Sequence, residues 1–326
     1  MHCYEHAYQR TAAIKAAIEL QIFTTISEGI ESVQSLAQKC QTSERGMRIL
    51  CDYLVIIGFL VKEAQSYRLT PDTAMFLDRH SKAYIGDGIE FLLSPFITNE
   101  FNDLAAVVRQ GGTVVSSLGT LSPENPVWVK FAKAMSPMTV MPAQLIAQMV
   151  NGDSQERIKV LDISASHGLF GIAFAQYNSN AEIYAVDWTP VLEVAKENAQ
   201  AQGVGDRYHT IPGSAFEVDY GSDYNLVLLP NFLHHFDMET CEKLLRKIHD
   251  CLSVDGRTIV FEFIPNSDRI TPPLVAAFAL TMLATTPSGD AYTFAEYERM
   301  FNNAGFSDCQ LHSLPPTEQQ VVIARY

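Results

Sequence analysis

The sequence predicts an α/β protein, with a doubly wound sheet in its C-terminal half behind a smaller helical domain. A chain of 326 residues, of which 47% are hydrophobic, can fill two cores. After residue 157, apolar runs of strand length alternate with helical segments. The run that ends at Asp162 passes through small residues into a helical segment, and the next run ends at Asp187. This order is typical of a βαβ unit that binds a nucleoside at its first turn.

Seven strands are expected in this half of the chain. We place them near residues 158–163, 182–187, 208–212, 224–230, 257–264, 308–314 and 320–325. Crossover segments separate the first six, which favours a doubly wound arrangement. The last two form a hairpin around Pro315-Pro316, so the final strand is expected to be antiparallel to the others.

The N-terminal part predicts a winged helix. Residues 4–28, 33–39 and 43–58 have helical patterns, and Ser32 is placed to cap the second of these helices. Two short apolar runs after Gly58 are expected to pair around a polar turn. Helix, turn, helix and hairpin in this order make a winged-helix module, which serves DNA binding in some proteins and dimerisation or lid formation in others.

We expect three segments along the chain. The winged-helix dimerisation domain covers residues 1–82, a helical connector that also lines a pocket covers 83–150, and the sheet domain covers 151–326. The polar cluster Asn151–Ser154 is the expected linker before the sheet domain.

Charge and composition argue against several functions. A net charge of −14 opposes binding to nucleic acid or to an anionic membrane, because such binding needs clustered Lys and Arg. The longest apolar run, Leu274–Ala284, is too short to cross a bilayer, and the N-terminal residues lack the apolar segment of a signal peptide. The six cysteines are scattered without a CxxC pair. We therefore expect reduced thiols, a cytoplasmic location and no metal site.

Candidate ligand-binding residues follow the predicted strands, because ligands of doubly wound sheets lie beyond the carboxyl ends of the strands. Asp187 is placed to accept hydrogen bonds from ribose hydroxyls. Trp188 and Phe216 can enclose a purine, and Ser214 can hydrogen-bond its edge. Together these residues predict a nucleoside site.

A candidate base follows the fourth of these strands, where His234 and His235 stand together, and Glu262 lies at the end of the next. An imidazole that faces the ligand could act as a general base, since histidine titrates near neutral pH. Glu262 could accept its other N–H and fix the tautomer. A purely structural histidine beside a helix start explains the same residues. The chain has no Gly-x-Ser-x-Gly elbow and no P-loop lysine, which argues against hydrolase and NTPase chemistry.

These motifs, in this order behind a winged helix, resemble the S-adenosylmethionine-dependent O-methyltransferases of the caffeate and hydroxyindole type. Those proteins combine a winged-helix dimerisation domain with a class I methyltransferase domain of Rossmann-like fold. The resemblance covers nearly the whole chain. It is strongest in the first-strand loop and in Phe131–Met135, Gly213–Phe216, Phe232–Phe236 and Met282–Gly289.

The resemblance implies a role for each matching residue. His234 falls on the catalytic base and Glu262 on the acid that orients it. S-adenosyl-L-methionine is the implied cofactor, with the methionine part at the first-strand loop, the ribose at Asp187, the adenine at residues 214–216 and the amino-acid end at residues 230–231. The implied cofactor-binding residues are Asp162, Ser164, Gly168, Asp187, Trp188, Ser214, Ala215, Phe216, Pro230 and Asn231. The implied acceptor pocket consists of Phe131, Met135, Met138, Phe278 and Met282.

The sequence also departs from the pattern of these enzymes. Ser164 and Ser166 stand where glycines are usual, and Ser214 stands where an acid is frequent. Pro230 replaces a common lysine, and Ala291 replaces a second glutamate, although the residue before it is an aspartate. The histidine is therefore supported by one acid instead of two.

We expect methyl transfer to a phenolic or enolic hydroxyl of a small, largely apolar metabolite, with His234 as the base and a homodimer formed through the N-terminal domain. Transfer to carbon or nitrogen, use of the cofactor without methylation, and a catalytically inactive partner subunit are alternatives within the same fold. A dehydrogenase is a weaker alternative, since its fingerprint would keep more glycines. A ligand-responsive winged-helix regulator is the alternative from another class, although segment 43–58 balances Arg45 and Arg48 with two acids.

Overall fold

The computed structural model describes residues 6–115, 126–151 and 156–326. The chain divides into two compact units, Met1–Asn99 and Glu100–Tyr326. The linker predicted at 151–154 lies, apart from the last residue of a helix, outside the described residues. The division into three segments stays a prediction.

The first unit is a set of helices around a two-stranded wing. Its strands β1 and β2 pair in antiparallel orientation. The elements are α1 (Ala7–Glu19), α2 (Ile22–Ser27), α3 (Val33–Lys39), α4 (Glu44–Ile56), β1 (Leu60–Glu63), β2 (Ser66–Leu69), α5 (Pro71–Phe76), α6 (Gly86–Leu92) and α7 (Pro95–Thr98). Helices α3 and α4 begin where the sequence predicts, because the hydroxyls of Ser32 and Ser43 accept hydrogen bonds from backbone N–H groups of the first turn.

The single helix predicted over residues 4–28 is wrong. Gln21 has a φ of 53°, in the left-handed region, and separates α1 from α2. A left-handed residue cannot continue the right-handed ladder of hydrogen bonds, so the chain changes direction there. The two shorter helices bury Ile18, Ile22 and Phe23 in the same core.

Asp52 links helix α4 to the two strands of the wing. Asp52 of α4 accepts hydrogen bonds from Lys62 Nζ at 2.6 Å and from Tyr67 Oη at 2.7 Å, and Arg48 lies 3.2 Å away. These donors hold the pKa of the Asp52 carboxyl below its usual value, Lys62 contributing most. Arg48 and Lys62 are thus both paired with one acid.

The second unit contains a seven-stranded sheet in the order β5-β4-β3-β6-β7-β9-β8. Strands β3 to β7 are parallel, and β9 is antiparallel to both of its neighbours, as predicted. The strands are β3 (Ile158–Ile163), β4 (Ala181–Asp187), β5 (Tyr208–Pro212), β6 (Tyr224–Pro230), β7 (Leu252–Glu262), β8 (Asp308–Ser313) and β9 (Gln320–Arg325). The helices are α8 (Leu104–Gln110), α9 (Val127–Asn151), α10 (Leu169–Tyr177), α11 (Thr189–Ala201), α12 (Met238–Cys251), α13 (Pro273–Thr285) and α14 (Phe294–Ala304).

Both faces of this sheet are covered. Successive strand residues point to opposite faces, so Val160 and Leu161 enter two different hydrophobic clusters. Burial on both sides explains why the strands read as continuous apolar runs in the sequence. Among the described residues, the chain has no helix with the length and apolarity that a membrane span requires.

Candidate active site

The site is built from the carboxyl ends of adjacent parallel strands. The register of β3 and β6 places Asp162 opposite Leu228, so the loop after β3 and the end of β6 lie side by side. On the other side of β3, Asp162 pairs with Ala185 of β4, which ends two residues later at Asp187. The sheet thus brings the first, second and fourth strand ends of the prediction to one edge.

Asp162 lies at the base of the first loop. It is fully buried, and its Oδ2 accepts a hydrogen bond from the Gly171 N–H at 3.0 Å, whereas Oδ1 has no partner. Burial raises the pKa of this carboxyl to about 7, because desolvation outweighs the hydrogen bond from Gly171. An unpaired buried oxygen at this position can accept a hydrogen bond from a ligand.

The loop itself keeps a tight turn although two glycines are replaced. Ser164 and Ser166 have φ values of 57° and 53°, in the left-handed region, which costs a residue with a side chain on the order of 1 kcal/mol each. Gly168 has a φ of 76° and cannot be replaced in the same way, because a Cβ there would lie 2.6 Å from the Tyr208 hydroxyl. The hydroxyls of Ser166 and Tyr208 are both buried without a partner.

Asp187 joins the second strand end to this loop. Its Oδ2 accepts a hydrogen bond from the Ser166 N–H at 2.8 Å and its Oδ1 accepts one from the Trp188 N–H at 2.7 Å. Each oxygen retains a lone pair, which suits a ribose hydroxyl. Burial raises the pKa of Asp187 to about 6 despite these two hydrogen bonds.

The two aromatic residues predicted to enclose a purine belong to different clusters. Trp188 packs with Trp128, Ala132 and residues of α11. Phe216 packs edge-on against Phe236, with ring centroids 4.9 Å apart. The Ser214 hydroxyl accepts a hydrogen bond from the Phe216 N–H at 3.3 Å, and the adjacent Ala215 is buried. Their contact with an adenine stays a prediction.

Gln319, which the sequence did not indicate, contacts the residue that follows β6. Beyond the buried Pro230, Asn231 has a φ of 53°, and its N–H donates to the Phe261 carbonyl at 2.9 Å. Its Oδ1 accepts a hydrogen bond from the side-chain amide of Gln319, which precedes β9. No local signal could have found a contact between residues 88 positions apart.

His234 and Glu262 form a buried pair, as the sequence predicted. The His234 Nδ1 lies 2.7 Å from the Glu262 Oε2, and the exposed fraction is 5% for His234 and 0% for Glu262. Because an ionised carboxylate only accepts, His234 Nδ1 donates to Glu262, and in a neutral imidazole the lone pair is then on Nε2. The backbone is fixed as well: the Asp290 N–H donates to the His234 carbonyl at 3.0 Å.

The aspartate beside Ala291 does not replace the missing second acid. The Asp290 Oδ2 lies 3.3 Å from Arg269, and its Oδ1 accepts a hydrogen bond from the Ala291 N–H at 2.8 Å. The side chain of Asp290 is therefore engaged away from His234. Among the described residues, Glu262 is the acid that contacts the His234 ring.

Aromatic rings surround the histidine. Phe278 meets the His234 ring edge-on at 4.9 Å, and Phe263 stacks on Phe278 at 4.2 Å. Trp128 meets His235 edge-on at 5.9 Å and Phe131 edge-on at 5.6 Å. The two histidines therefore lie in an apolar environment of aromatic rings.

The other predicted pocket residues lie in the same unit. Met282 of α13 is buried, and Met135 of α9 is half-buried. Met138, also on α9, is 37% exposed, so it lies at the margin of the buried surface. Met138 lies about one helical turn after Met135, so the sequence alone could not show that Met138 is the more exposed of the two.

His167 is a second residue that sequence reasoning missed. Its Nδ1 accepts a hydrogen bond from the Leu169 N–H at 3.2 Å, which leaves Nε2–H to donate to the Thr139 hydroxyl at 3.1 Å. Burial lowers the pKa of His167 to about 4, so the ring is neutral near pH 7. It connects the first loop to α9, the helix of the predicted acceptor pocket.

The class of the protein follows from its sheet. The strand order and the antiparallel last strand are those of class I methyltransferases, and the polar residues gather at the strand ends. The chain belongs to the O-methyltransferase domain family, whose model matches residues 101–307, and the O-methyltransferase dimerisation domain matches residues 3–79. It is a S-adenosylmethionine-dependent O-methyltransferase, which confirms the resemblance seen in the sequence.

Three similar proteins differ widely in their sequence identity to this chain. A crystal structure from Nostoc punctiforme PCC 73102, which bears a provisional O-methyltransferase description, is 74% identical, with a TM-score of 0.96 over 99% of this chain and 97% of that one. The tetracenomycin polyketide synthesis 8-O-methyl transferase of Streptomyces glaucescens is 24% identical over 93% of this chain and 89% of its own length. Human N-acetylserotonin methyltransferase in complex with SAM shares the fold, with 21% identity and a TM-score of 0.86 over 99% and 95% of the two chains.

Proposed function

We propose that this enzyme methylates a phenolic or enolic hydroxyl of a small, largely apolar metabolite, with His234 as the general base. The observation that carries the proposal is the 2.7 Å contact between His234 Nδ1 and the buried Glu262. With Nδ1 engaged by Glu262, the Nε2 of the neutral ring is the nitrogen left to act as a base, and the His234 ring lies 4.9 Å from that of Phe278. A phenol suits this base because it loses its proton far more readily than an alkanol.

The residues at the strand ends fit the cofactor. Asp187 offers a lone pair on each carboxylate oxygen, and both Asp162 Oδ1 and the Ser166 hydroxyl are buried without a partner. The tight turn at Gly168 admits no side chain, because a Cβ there would lie 2.6 Å from the Tyr208 hydroxyl. We assign the ribose to Asp187 and the methionine part to the loop from Ser164, with Ser214, Ala215 and Phe216 toward the adenine and Pro230 and Asn231 toward the amino-acid end.

When bound, S-adenosylmethionine supplies a methyl group that its sulfonium already makes electrophilic. The protein therefore needs to align the acceptor oxygen and remove its proton. When the acceptor oxygen takes that methyl group, the proton of its hydroxyl would move to His234 Nε2. Glu262 stabilises the imidazolium that results, through the proton it holds on Nδ1.

The acceptor class follows from the surroundings of the base. Phe278, Phe263 and Trp128 present ring surfaces, and Met282 adds a polarisable, apolar side chain. The Streptomyces relative is named for 8-O-methylation in tetracenomycin polyketide synthesis, and the human one for N-acetylserotonin. Both names support a small-molecule acceptor.

The match to the dimerisation domain supports a homodimer formed through the N-terminal unit. Within that unit, Ile56, Val61 and Met75 are exposed by 78%, 43% and 53%. Apolar side chains exposed to this extent are suited to burial against a second copy.

The test combines a binding measurement with an acceptor screen. Calorimetry measures the affinity for S-adenosylmethionine, and release of S-adenosylhomocysteine is then measured with phenols, quinols and indoles. We expect His234→Ala to lower turnover of the best acceptor by roughly 10²-fold or more, because base catalysis is lost. His209→Ala is the matched control, since His209 also pairs with a glutamate, at 2.8 Å, but lies exposed on β5. Turnover by His234→Ala equal to that of the control would refute the role of the base.

A further inference from the structure

The chain around His234 has little backbone hydrogen bonding of its own. It forms a single 3₁₀ turn, Leu233–His235, and we call residues 233–236 the base turn. The two backbone hydrogen bonds that close it, from the N–H groups of His235 and Phe236, are both 3.2 Å long. Hydrogen bonds of a 3₁₀ turn have poorer geometry than those of an α-helix. The orientation of the base turn therefore depends on the segments packed against it.

One such segment consists of residues 289–292, between α13 and α14. Its Asp290 N–H donates to the His234 carbonyl at 3.0 Å. Its Tyr292 hydroxyl donates to the Phe236 carbonyl at 2.5 Å. The two carbonyls lie two residues apart, so this segment fixes the backbone at two points of the base turn.

The first residue of the segment, Gly289, approaches the base turn closely. A Cβ at Gly289 would overlap the His234 carbonyl oxygen and would lie 3.0 Å from the carbonyl carbon of His235. Its N–H donates to the Thr286 hydroxyl at 2.8 Å, which holds Gly289 in place. The base turn therefore has no room to move toward the segment.

Tyr292 is the residue of this segment whose side chain hydrogen-bonds the base turn. It is buried, and burial raises the pKa of its hydroxyl above the usual value, so the hydroxyl keeps the proton that it donates. The Phe236 carbonyl has one other side-chain contact, Cys241 Sγ at 3.8 Å, and a thiol is a weak donor. Without the Tyr292 hydroxyl, this carbonyl would keep only the weak donor.

We propose that Tyr292 is a positioning residue, whose hydroxyl holds the base turn so that His234 keeps its contact with Glu262 and its alignment with the acceptor. This inference rests on the proposed function, since it needs His234 as the base. A displacement of about 1 Å in a catalytic group can lower a rate by roughly 100-fold, so a hold on the backbone of the base has a measurable effect.

The first experiment separates kcat from KM. Tyr292→Phe removes the hydroxyl and keeps the ring. We expect kcat for the best acceptor of the screen to fall about tenfold, while the acceptor KM and the calorimetric affinity for S-adenosylmethionine stay within about twofold. The reason is that the change acts on the base, and Tyr292 is not among the residues to which we assign either ligand.

Tyr297→Phe is the matched control. Tyr297 is buried in the same hydrophobic cluster, and its ring meets that of Tyr292 edge-on at 6.1 Å. Among the described residues, however, its hydroxyl has no hydrogen-bond partner. Tyr297→Phe should therefore leave kcat unchanged. Melting followed by circular dichroism checks that both variants are folded.

A double variant tests whether Tyr292 acts through the base. In the His234→Ala background, Tyr292→Phe should lower the remaining turnover by less than about twofold, because the residue that Tyr292 positions is already absent. A residue with a merely structural role would lower turnover by the same factor in both backgrounds.

A second experiment measures the position of the base without an assay of activity. The Nδ1 proton of His234, held by Glu262 at 2.7 Å, should give a ¹H NMR signal that exchanges slowly with water and is lost in His234→Ala. We expect this exchange to be about tenfold faster in Tyr292→Phe and unchanged in Tyr297→Phe. The hydroxyl proton of Tyr292 should also exchange slowly in the wild-type protein, a measurement that needs no variant to fold.

The outcomes separate this inference from the proposed function. Equal kcat values for Tyr292→Phe and Tyr297→Phe would overturn it, as would a loss confined to KM or an undiminished loss in the His234→Ala background. Rapid exchange of the Tyr292 hydroxyl proton in the wild-type protein would also overturn it. Faster exchange of the His234 proton in Tyr292→Phe, together with full turnover by His234→Ala, would support the hold on the base turn and refute the proposed function instead.

Discussion

Removal of the charge on Glu262 tests the electrostatic part of the mechanism. Glu262→Gln keeps the shape of a side chain that is 0% exposed, but removes a negative charge whose Oε2 lies 2.7 Å from His234 Nδ1. Two unit charges about 4 Å apart, at an effective dielectric constant of about 20, attract by about 4 kcal/mol. This attraction arises as the imidazolium forms, so its loss raises the barrier and lowers kcat by about 10³-fold.

The assay measures kcat and KM from the release of S-adenosylhomocysteine with the best acceptor of the screen. The affinity for S-adenosylmethionine should remain within about twofold, because Glu262 contacts His234 and is not among the residues to which we assign the cofactor. Melting by circular dichroism checks that the buried glutamine is tolerated. In the His234→Ala background, Glu262→Gln should cause little further loss, since the carboxylate acts through the histidine.

Two results would contradict this reasoning. A kcat for Glu262→Gln within about threefold of the wild-type value would show that the buried charge does not stabilise the transition state. A double variant whose loss equals the product of the two single losses would show that Glu262 acts independently of His234.

Two further predictions concern the loop and the cofactor. Burial raises the pKa of Asp187 to about 6, and ribose hydroxyls need the ionised carboxylate. Affinity for S-adenosylmethionine should therefore be complete about one unit above pH 6 and fall by up to about tenfold per unit below pH 6. Calorimetry from pH 5 to 8 should show this fall, and Asp187→Asn should flatten it. Gly168→Ala and Gly203→Ala both place a side chain at positive φ, at about 1 kcal/mol, but only the first meets the Tyr208 hydroxyl, at 2.6 Å. Gly168→Ala should therefore lower the free energy of unfolding by about 2 kcal/mol more, measured by urea denaturation, and equal losses would exclude the clash.

Local patterns in the chain were enough to predict most elements and several site residues. Apolar runs ending in polar residues located the strands, and the cap at Ser32 located a helix start. Strand β7 differs from its prediction: it begins at Leu252 and ends at Glu262, instead of covering 257–264. Its first residue pairs with Tyr224 before an irregularity in the register, a feature that depends on the neighbouring strand.

The sequence by itself determined the α/β class, the order of the strand ends, and the pairing of His234 with Glu262, because each follows from short-range patterns and from the rule that parallel strands end at one edge. Tertiary structure decided how the side chains at that edge are directed. It turned Asp290 to Arg269, brought Gln319 to Asn231, and buried the Nδ1 of His235 without a partner. Such contacts depend on distances of a few ångström between residues far apart in the chain, and no periodicity or spacing in the sequence encodes them.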